Sequence, residues 1–171
     1  MVMSINTFKS KLTNGGARAN QFEVLVTFPT LVPNSANANA KVPYLCEAAS
    51  LPASTIEVAE GWYRGRRVPF AGERNFQPWT LTFLNENFEV YNAFQSWSNS
   101  MNNVSTNQGV IDWSQYTTQL VVNQLDRNDN VIKTFTFQGA FPIDVSAIDL
   151  NFASNNQIEK FNVTFDYTNW V

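Results

Sequence analysis

Three arginines and two aromatic residues occupy one short segment of the chain. Arg64, Arg66 and Arg67 directly follow Trp62 and Tyr63. Guanidinium groups pair with phosphates and carboxylates, and aromatic rings stack on bases or pack against apolar side chains. The segment is therefore suited to contact either a nucleic acid or another protein. A solvated loop without a partner is the third alternative.

The distribution of charge around this segment favours a protein contact. Residues 61–74 carry four arginines against Glu73, a net charge of +3, whereas the rest of the chain carries seven basic and thirteen acidic residues, a net charge of −6. Glu57 and Glu60 lie just upstream, so both signs occur close together. Mixed charge fits a self-complementary protein contact better than a phosphate track, because nucleic-acid binders have a basic balance.

The residue types that most enzymes use are scarce. The sequence has no histidine, so Ser-His-Asp and Cys-His sites cannot form and the commonest metal ligand is missing. The single cysteine, Cys46, has no adjacent base and is interpreted as a small buried residue and not as a nucleophile. We expect no cofactor, no metal and no enzyme activity, with catalysis by carboxylates alone as the alternative left open.

Alternation of apolar and polar residues predicts a mainly β chain. The strand pattern occurs at 21–28, 44–47, 79–84, 120–125, 131–137, 147–152 and 161–168, with a hairpin turn at 126–130. Residues 29–43 and 102–117 are polar or lack periodicity, and both predict exposed loops. No segment approaches the ~20 apolar residues of a membrane helix, so we expect no membrane partner and a soluble protein made in the cytoplasm.

Two segments have helical periodicity. At 85–101, Phe88, Tyr91, Phe94, Trp97 and Met101 recur at three- and four-residue steps, which predicts a flanking helix packed on a sheet. At 4–12, Ile5, Phe8 and Leu12 predict a short amphipathic helix that Ser4 caps and Gly15-Gly16 ends. A helix this short needs a partner surface, in its own domain or on a neighbour.

These elements together predict one α+β, mainly β domain over residues 1–171. Its expected architecture is an antiparallel β-barrel or sandwich with one flanking helix and long loops.

Several short motifs, in order along nearly the whole chain, resemble the tail tube protein of contractile-tailed (T-even-like) bacteriophages. They are Ala17-Arg18 with Asn20 and Phe22-x-Val24, Leu51-Pro52-Ala53, Val68 with 71–76, 79–82, 94–97, and 154–159 with Phe161-x-Val163-Thr164. The loops at 34–40 and 102–117 depart from the family pattern and look like local insertions.

This resemblance implies a fold akin to the hemolysin-coregulated protein of type VI secretion. It implies a structural subunit of the virion, assembled in the host cytoplasm into hexameric rings that stack into a hollow tube. The expected partners are other copies of the chain, the tail sheath protein, and the baseplate and tail terminator proteins. The tape-measure protein and, transiently, DNA would occupy the lumen.

We assign hypothetical roles to two groups of residues. The 54–74 loop is expected to protrude and to bridge neighbouring subunits or rings through its charged residues Glu57, Glu60, Arg64, Arg66, Arg67 and Arg74. The polar side of the inner strands is expected to line the bore, through Thr80, Thr82, Asn162, Thr164 and Asp166. An uncharged or acidic bore would repel DNA phosphates and let the genome slide.

Two other functions remain as alternatives. A tube subunit of a secretion system or of an extracellular contractile injection system would share the fold. A small DNA-binding module would instead bind duplex DNA in a salt-sensitive manner.

Overall fold

Strands dominate the chain, as the alternating segments predict. A computed structural model describes residues 4–12, 16–33 and 35–171. Its elements in chain order are α1 (Ile5–Lys11), β1 (Phe22–Val26), α2 (Ser35–Leu45), β2 (Cys46–Ala49), β3 (Ser54–Tyr63), β4 (Arg66–Phe76), β5 (Trp79–Leu84), α3 (Glu89–Met101), α4 (Trp113–Tyr116), β6 (Thr118–Leu125), β7 (Val131–Val145), β8 (Lys160–Asp166) and β9 (Asn169–Trp170).

The main sheet is antiparallel, and its longest strand belongs to two layers. The strand order is β1-β6-β7-β8-β5-β2, and β9 also pairs with β7. The first part of β7 pairs with β6, whereas residues 141–145 pair with β8. Register shifts in both pairings mark irregularities of the kind that bend a strand from one layer into the next. The predicted mainly β, antiparallel fold is confirmed, but β1 and β2 do not pair with each other, so the described strands do not close into the barrel that was one of the two expected forms.

Aromatic side chains fill the space between the two layers and α3. The largest fully buried residues include Phe83, Phe94, Trp97, Phe161 and Phe165. The alternation predicted at 161–168 is confirmed, because β8 buries every second side chain and exposes Asn162 and Asp166 on the other side.

The predicted flanking helix exists but begins four residues later than expected, at Glu89. Asn85 is the reason: its Oδ1 accepts the Phe88 N–H at 3.1 Å and its Nδ2 donates to Glu159 Oε2 at 2.8 Å. These bonds hold residues 85–88 in a turn, and Phe88 has a φ of 63°. Of the aromatic stripe, Phe94 and Trp97 are fully buried and Phe88 is exposed.

The exposed loop predicted at 29–43 is wrong, because most of it folds as α2. Ala38 and Val42, one helical turn apart, are buried in the core. Asn39 Oδ1 accepts the Phe28 N–H at 3.1 Å, and Lys41 pairs with Glu86 and Glu89 in the α3 region at 2.8 and 2.7 Å. Tertiary contacts therefore stabilise a helix that its asparagines and Pro43 disfavour.

Two strand predictions also need correction. Residues 44 and 45 end α2, so only the second half of the strand predicted at 44–47 is present, as the start of β2. Residues 147–152 have no strand. Both edges of β8 are already paired, with β5 on one side and β7 on the other, so the alternating segment next to it has no partner there.

The short N-terminal helix is present as predicted, and Ser4 Oγ accepts the Thr7 N–H at 3.2 Å. Ile5, Phe8 and Leu12 are all exposed, at 70%, 64% and 45%. The apolar side of α1 is therefore uncovered in the single subunit. Gly15, expected to help end this helix, lies outside the described residues.

Candidate assembly site

The segment predicted as a protruding loop is a long β-hairpin. Strands β3 and β4 pair only with each other in the described part of the chain, from Ser54 opposite Phe76 to Tyr63 opposite Arg66. Arg64 and Gly65 form the two-residue turn with φ values of 48° and 82°. Positive φ at both positions is the requirement of a type I′ turn, which matches the twist of paired strands. We call residues 54–76 the assembly hairpin.

The base of the assembly hairpin is fixed to one end of the main sheet. β4 is followed by β5 after two residues, and β5 starts at Trp79. The Trp79 indole Nε1 donates to the Ser50 carbonyl at 2.7 Å and so holds the chain that enters the hairpin. The hairpin therefore leaves the sheet at the end where β5 begins.

A β-bulge gives the hairpin one position that only glycine fits. The register shifts between Ile56 and Val58, so that Gly72 and Glu73 both lie opposite Glu57. A Cβ at Gly72 would lie 2.8 Å from the Glu57 carbonyl oxygen. The two strands therefore approach closely at this bulge, which strengthens the local twist.

Both faces of the assembly hairpin carry exposed apolar side chains. Val58 and Trp62 on one face are 53% and 69% exposed, and Tyr63 and Phe70 on the other are 66% and 58% exposed. An isolated two-stranded hairpin is marginally stable in water, and contiguous exposed apolar residues mark interaction surfaces. Contact with a further surface would cover these side chains.

The charged residues of the hairpin are held in defined positions. Arg67 makes a two-nitrogen contact with Glu60 Oε1, at 2.6 Å from Nη2 and 2.8 Å from Nε. Arg74 Nη1 donates to Ser54 Oγ at 2.8 Å, and the Arg64 guanidinium lies 5.5 Å from the centre of the Tyr63 ring. Of the residues given an interface role from the sequence, all six lie on this one hairpin and all are exposed.

The residues expected to line a bore share one face of the neighbouring strands. Thr80 lies opposite Thr164 and Thr82 opposite Asn162, with hydrogen bonds of 3.0 and 2.9 Å between the two side-chain pairs. Asp166 continues the same face of β8. None of these five side chains is buried in the core. We call them the polar face.

Burial makes Cys46 an unreactive thiol. Cys46 is half-buried, and desolvation raises its pKa to about 12, with a smaller lowering by a backbone hydrogen bond at Ala48. The thiolate, which is the nucleophilic form, is therefore scarce at neutral pH.

The described part of the chain has no cluster of three or more His, Cys, Asp or Glu side chains placed to hold a metal ion. Within the same residue ranges, no helix is long and apolar enough to span a bilayer.

Sequence reasoning missed the surface that residues 149–159 form. These residues border an open groove with Leu84, Glu47 and Lys160. The available signal was two apolar residues among polar neighbours: Leu150, which the alternation at 147–152 attributed to a strand, and Ile158.

Known proteins with similar sequences are phage tail tube proteins. The sequence profile of the family described as "Phage tail tube protein" matches residues 17–171. The tail tube protein of Serratia phage KSP90 is 29% identical over 168 residues, which are 96% of this chain and 94% of that protein.

Solved structures of contractile injection systems share the fold. A chain of the anti-feeding prophage baseplate, solved with 6-fold symmetrisation, has a TM-score of 0.65 at 18% identity and covers 91% of this chain and 93% of its own. A chain of the PVC sheath-tube complex of an extracellular contractile injection system, in its extended state, has a TM-score of 0.61 at 14% identity and covers 99% and 97%. With the profile match over almost its whole length, the chain belongs to the phage tail tube protein family and is a structural tube subunit.

Proposed function

We propose that the chain forms stacked hexameric rings that make the tube of a contractile phage tail, with a bore that conducts DNA during ejection. The observation that carries the proposal is the assembly hairpin, which exposes apolar residues on both faces and extends from a sheet with unpaired edges. Unpaired strand edges and exposed apolar faces are liabilities in a monomer that contact with identical subunits removes. The role is structural and not catalytic.

The ring and its stacking require two different contacts. A head-to-tail contact that closes in the plane of the ring gives a closed assembly, and a second that does not close gives a filament. Among the described residues, β1 and β2 each pair on one side only, so their other edges are available for the first contact. The hairpin, with Glu57, Glu60, Arg64, Arg66, Arg67 and Arg74, is available for the bridging contact. The 6-fold symmetrised baseplate assembly that contains a structural neighbour supports a six-subunit ring.

The polar face is proposed to line the bore. Thr80, Thr82, Asn162 and Thr164 are uncharged, and Asp166 and the nearby Asp144, which lies opposite Thr164, are acidic. Such a surface lacks the positive charge that binds phosphates tightly, so DNA would slide through it. The tape-measure protein would occupy the same space before DNA.

The proposed outer partners are the sheath, the baseplate and the tail terminator. Structural neighbours come from a sheath-tube complex and from a baseplate, which supports the first two. An injection-system tube is the second candidate, because those neighbours share the fold. The phage assignment is preferred because the phage tail tube protein is 29% identical, against 18% and 14% for the injection-system chains. Assembly would take place in the host cytoplasm.

Reversal of hairpin charge tests the proposal. Arg66→Glu with Arg67→Glu should abolish tubes of the concentrated purified protein in negative-stain micrographs, because like charges across a contact cost several kcal/mol. Arg67 also pairs with Glu60 inside the subunit. Glu60→Arg with Arg67→Glu keeps that internal ion pair with its ends exchanged and the net charge unchanged, so loss of tubes from this variant too would assign the effect to the contact between subunits and not to the fold of the hairpin. Unchanged tubes from the Arg66→Glu, Arg67→Glu protein would refute the bridging role.

A further inference from the structure

The open groove of residues 149–159 lies at the opposite end of the sheet from the assembly hairpin. β5 runs from Trp79, beside the base of the hairpin, to Leu84, which lines the groove. Lys160, at the start of β8, pairs with Leu84 across the strands and also lines the groove. A six-residue strand spans about 20 Å, so the two features are separated along the strand direction by about that distance. We call this surface the acidic groove.

The chemistry of the acidic groove suits a basic, partly apolar guest. Its volume is about 940 Å³, and its charged residues are Glu47, Asp149 and Glu159 against Lys160, a net charge of −2. Lys160 Nζ is 2.6 Å from Glu47 Oε1, so the only lysine of the groove is already neutralised. Leu84, Leu150 and Ile158 supply apolar surface, and Leu150 and Ile158 are 78% and 62% exposed.

The tip of the assembly hairpin has the complementary chemistry. Arg64, Arg66 and Arg67 lie there with one neighbouring acid, Glu60, a net charge of +2. Glu60 pairs with Arg67, which leaves Arg64 and Arg66 as the cations directed to a partner. The exposed rings of Trp62 and Tyr63 supply apolar area beside them.

We propose that the hairpin tip of one copy docks in the acidic groove of the next copy along the tube axis. The inference rests on the proposed tube function and names the receiving surface of its stacking contact. A projecting element at one end of the sheet and a complementary groove at the other give a contact that repeats by translation and does not close on itself, which is the requirement for a filament. Arg64 and Arg66 face Asp149 and Glu159 across this contact, and Trp62 and Tyr63 cover the groove's leucines and isoleucine.

The negative charge of the groove disfavours other classes of ligand. Phosphate-bearing ligands and nucleic acids are repelled by a net charge of −2, and a small apolar ligand would be poorly enclosed in an open groove bordered by three carboxylates. A basic segment of a different protein would have the same chemistry as the hairpin tip. The mixing experiment described next distinguishes these two ligands of the groove.

Two reversed variants test the pairing. The tip-reversed protein carries Arg64→Glu with Arg66→Glu, and the groove-reversed protein carries Asp149→Lys with Gln157→Lys, which leaves the Glu47–Lys160 and Asn85–Glu159 contacts in place. Each variant, assembled by itself, should yield at least about tenfold less protein that sediments as tubes. A repulsion of about 1.4 kcal/mol at one contact lowers its association constant about tenfold. An equimolar mixture should recover tubes, since each tip then meets a groove of opposite charge.

A control variant separates the effect of charge in the groove from the effect of added positive charge elsewhere. Asn99→Lys with Asn128→Lys adds positive charge at exposed positions of α3 and the β6–β7 turn and should assemble like the wild type. Tubes from the groove-reversed protein alone, or a mixture no better than its components, would overturn the inference and leave the tube function intact, with a different guest for the groove. A wild-type protein that forms no tubes at high concentration would instead count against the proposed function itself.

Cross-linking tests the same contact without charge reversal, and therefore does not depend on the folding of the reversed variants. A protein with Cys46→Ala, Arg64→Cys and Asp149→Cys should form a ladder of covalent multimers with a short bis-maleimide, because the two new thiols meet between copies. Monomer alone on a denaturing gel, from tubes that microscopy shows to be intact, would overturn the docking.

Discussion

Gly139 shows how a single residue controls the bend of β7. Its φ is +64°, and a Cβ there would lie 2.5 Å from Trp113 Cζ2 and 2.8 Å from Thr168 Oγ1. The residue therefore allows α4 and the segment after β8 to pack against the strand close to the point where it passes from one layer to the other. Both a left-handed backbone and the absence of a side chain are needed.

Gly139→Ala should accordingly destabilise the subunit by about 2 kcal/mol or more, from left-handed strain and overpacking together. Gly65→Asn is the matched control: Gly65 has a φ of +82° but nothing within 4 Å of its Cβ position, and asparagine tolerates this backbone. Urea unfolding of unassembled protein measures both. A Gly139→Ala protein no less stable than the Gly65→Asn protein would show that the bend does not depend on glycine.

At the scale of elements, the sequence predicted well those strands and helices whose apolar side chains pack in the core of a single subunit. β8 alternates because one side faces α3 and the other faces away, and the stripe of α3 is buried at Phe94 and Trp97. The hairpin charges were visible in the sequence, but its strands were not. Neither face of the hairpin is buried, so its apolar residues are not confined to alternate positions.

The remaining errors have tertiary causes. α2 has weak intrinsic propensity and contains Pro43, and its stability comes from the burial of Ala38 and Val42 and from the Lys41 ion pairs. Residues 147–152 have the strand pattern without a free edge to pair with. The acidic groove follows from that failure, because an unpaired segment at the end of the sheet forms one of its walls.

Helix α1 provides a prediction at the same scale. Phe8 is 64% exposed, whereas Phe94 is fully buried. Phe8→Ser should change the free energy of unfolding of the isolated subunit by no more than about 0.5 kcal/mol, while Phe94→Ala should cost about 3–5 kcal/mol. If α1 is covered on assembly, Phe8→Ser should also reduce the yield of sedimenting tubes. A large loss of subunit stability from Phe8→Ser would contradict the exposed position of this helix.

For the whole molecule, the arrangement of charge separates the contact surfaces from the proposed bore. Four of the eleven basic residues lie on the assembly hairpin, three acids and one lysine line the groove, and the polar face between them carries threonine, asparagine and aspartate. The three surfaces lie on one sheet and its extensions, so in the proposed tube one fold would supply stacking contacts at its two ends and a weakly interacting wall between them. A DNA-binding module would instead concentrate its cations on the face that meets the duplex.

This separation predicts how the proposed tube responds to one lysine on the polar face. Asp166→Lys adds a cation to the polar face of every subunit, so assembled tubes should gain affinity for duplex DNA, and that affinity should fall steeply between 50 and 200 mM salt because phosphate contacts release counterions. Unassembled Asp166→Lys protein should bind far more weakly, since its lysines are not arrayed around one duplex. Fluorescence anisotropy with a labelled short duplex measures both forms.

The controls in that experiment distinguish the alternatives. Asn128→Lys, in the exposed β6–β7 turn, should add little affinity if that turn lies outside the bore. Equal gains from Asn128→Lys and Asp166→Lys would show that the polar face has no special access to DNA. Salt-sensitive binding of duplex by the unassembled wild-type subunit would favour the DNA-binding alternative, with the exposed arginines of the assembly hairpin as its phosphate contacts, because the polar face itself has no lysine or arginine.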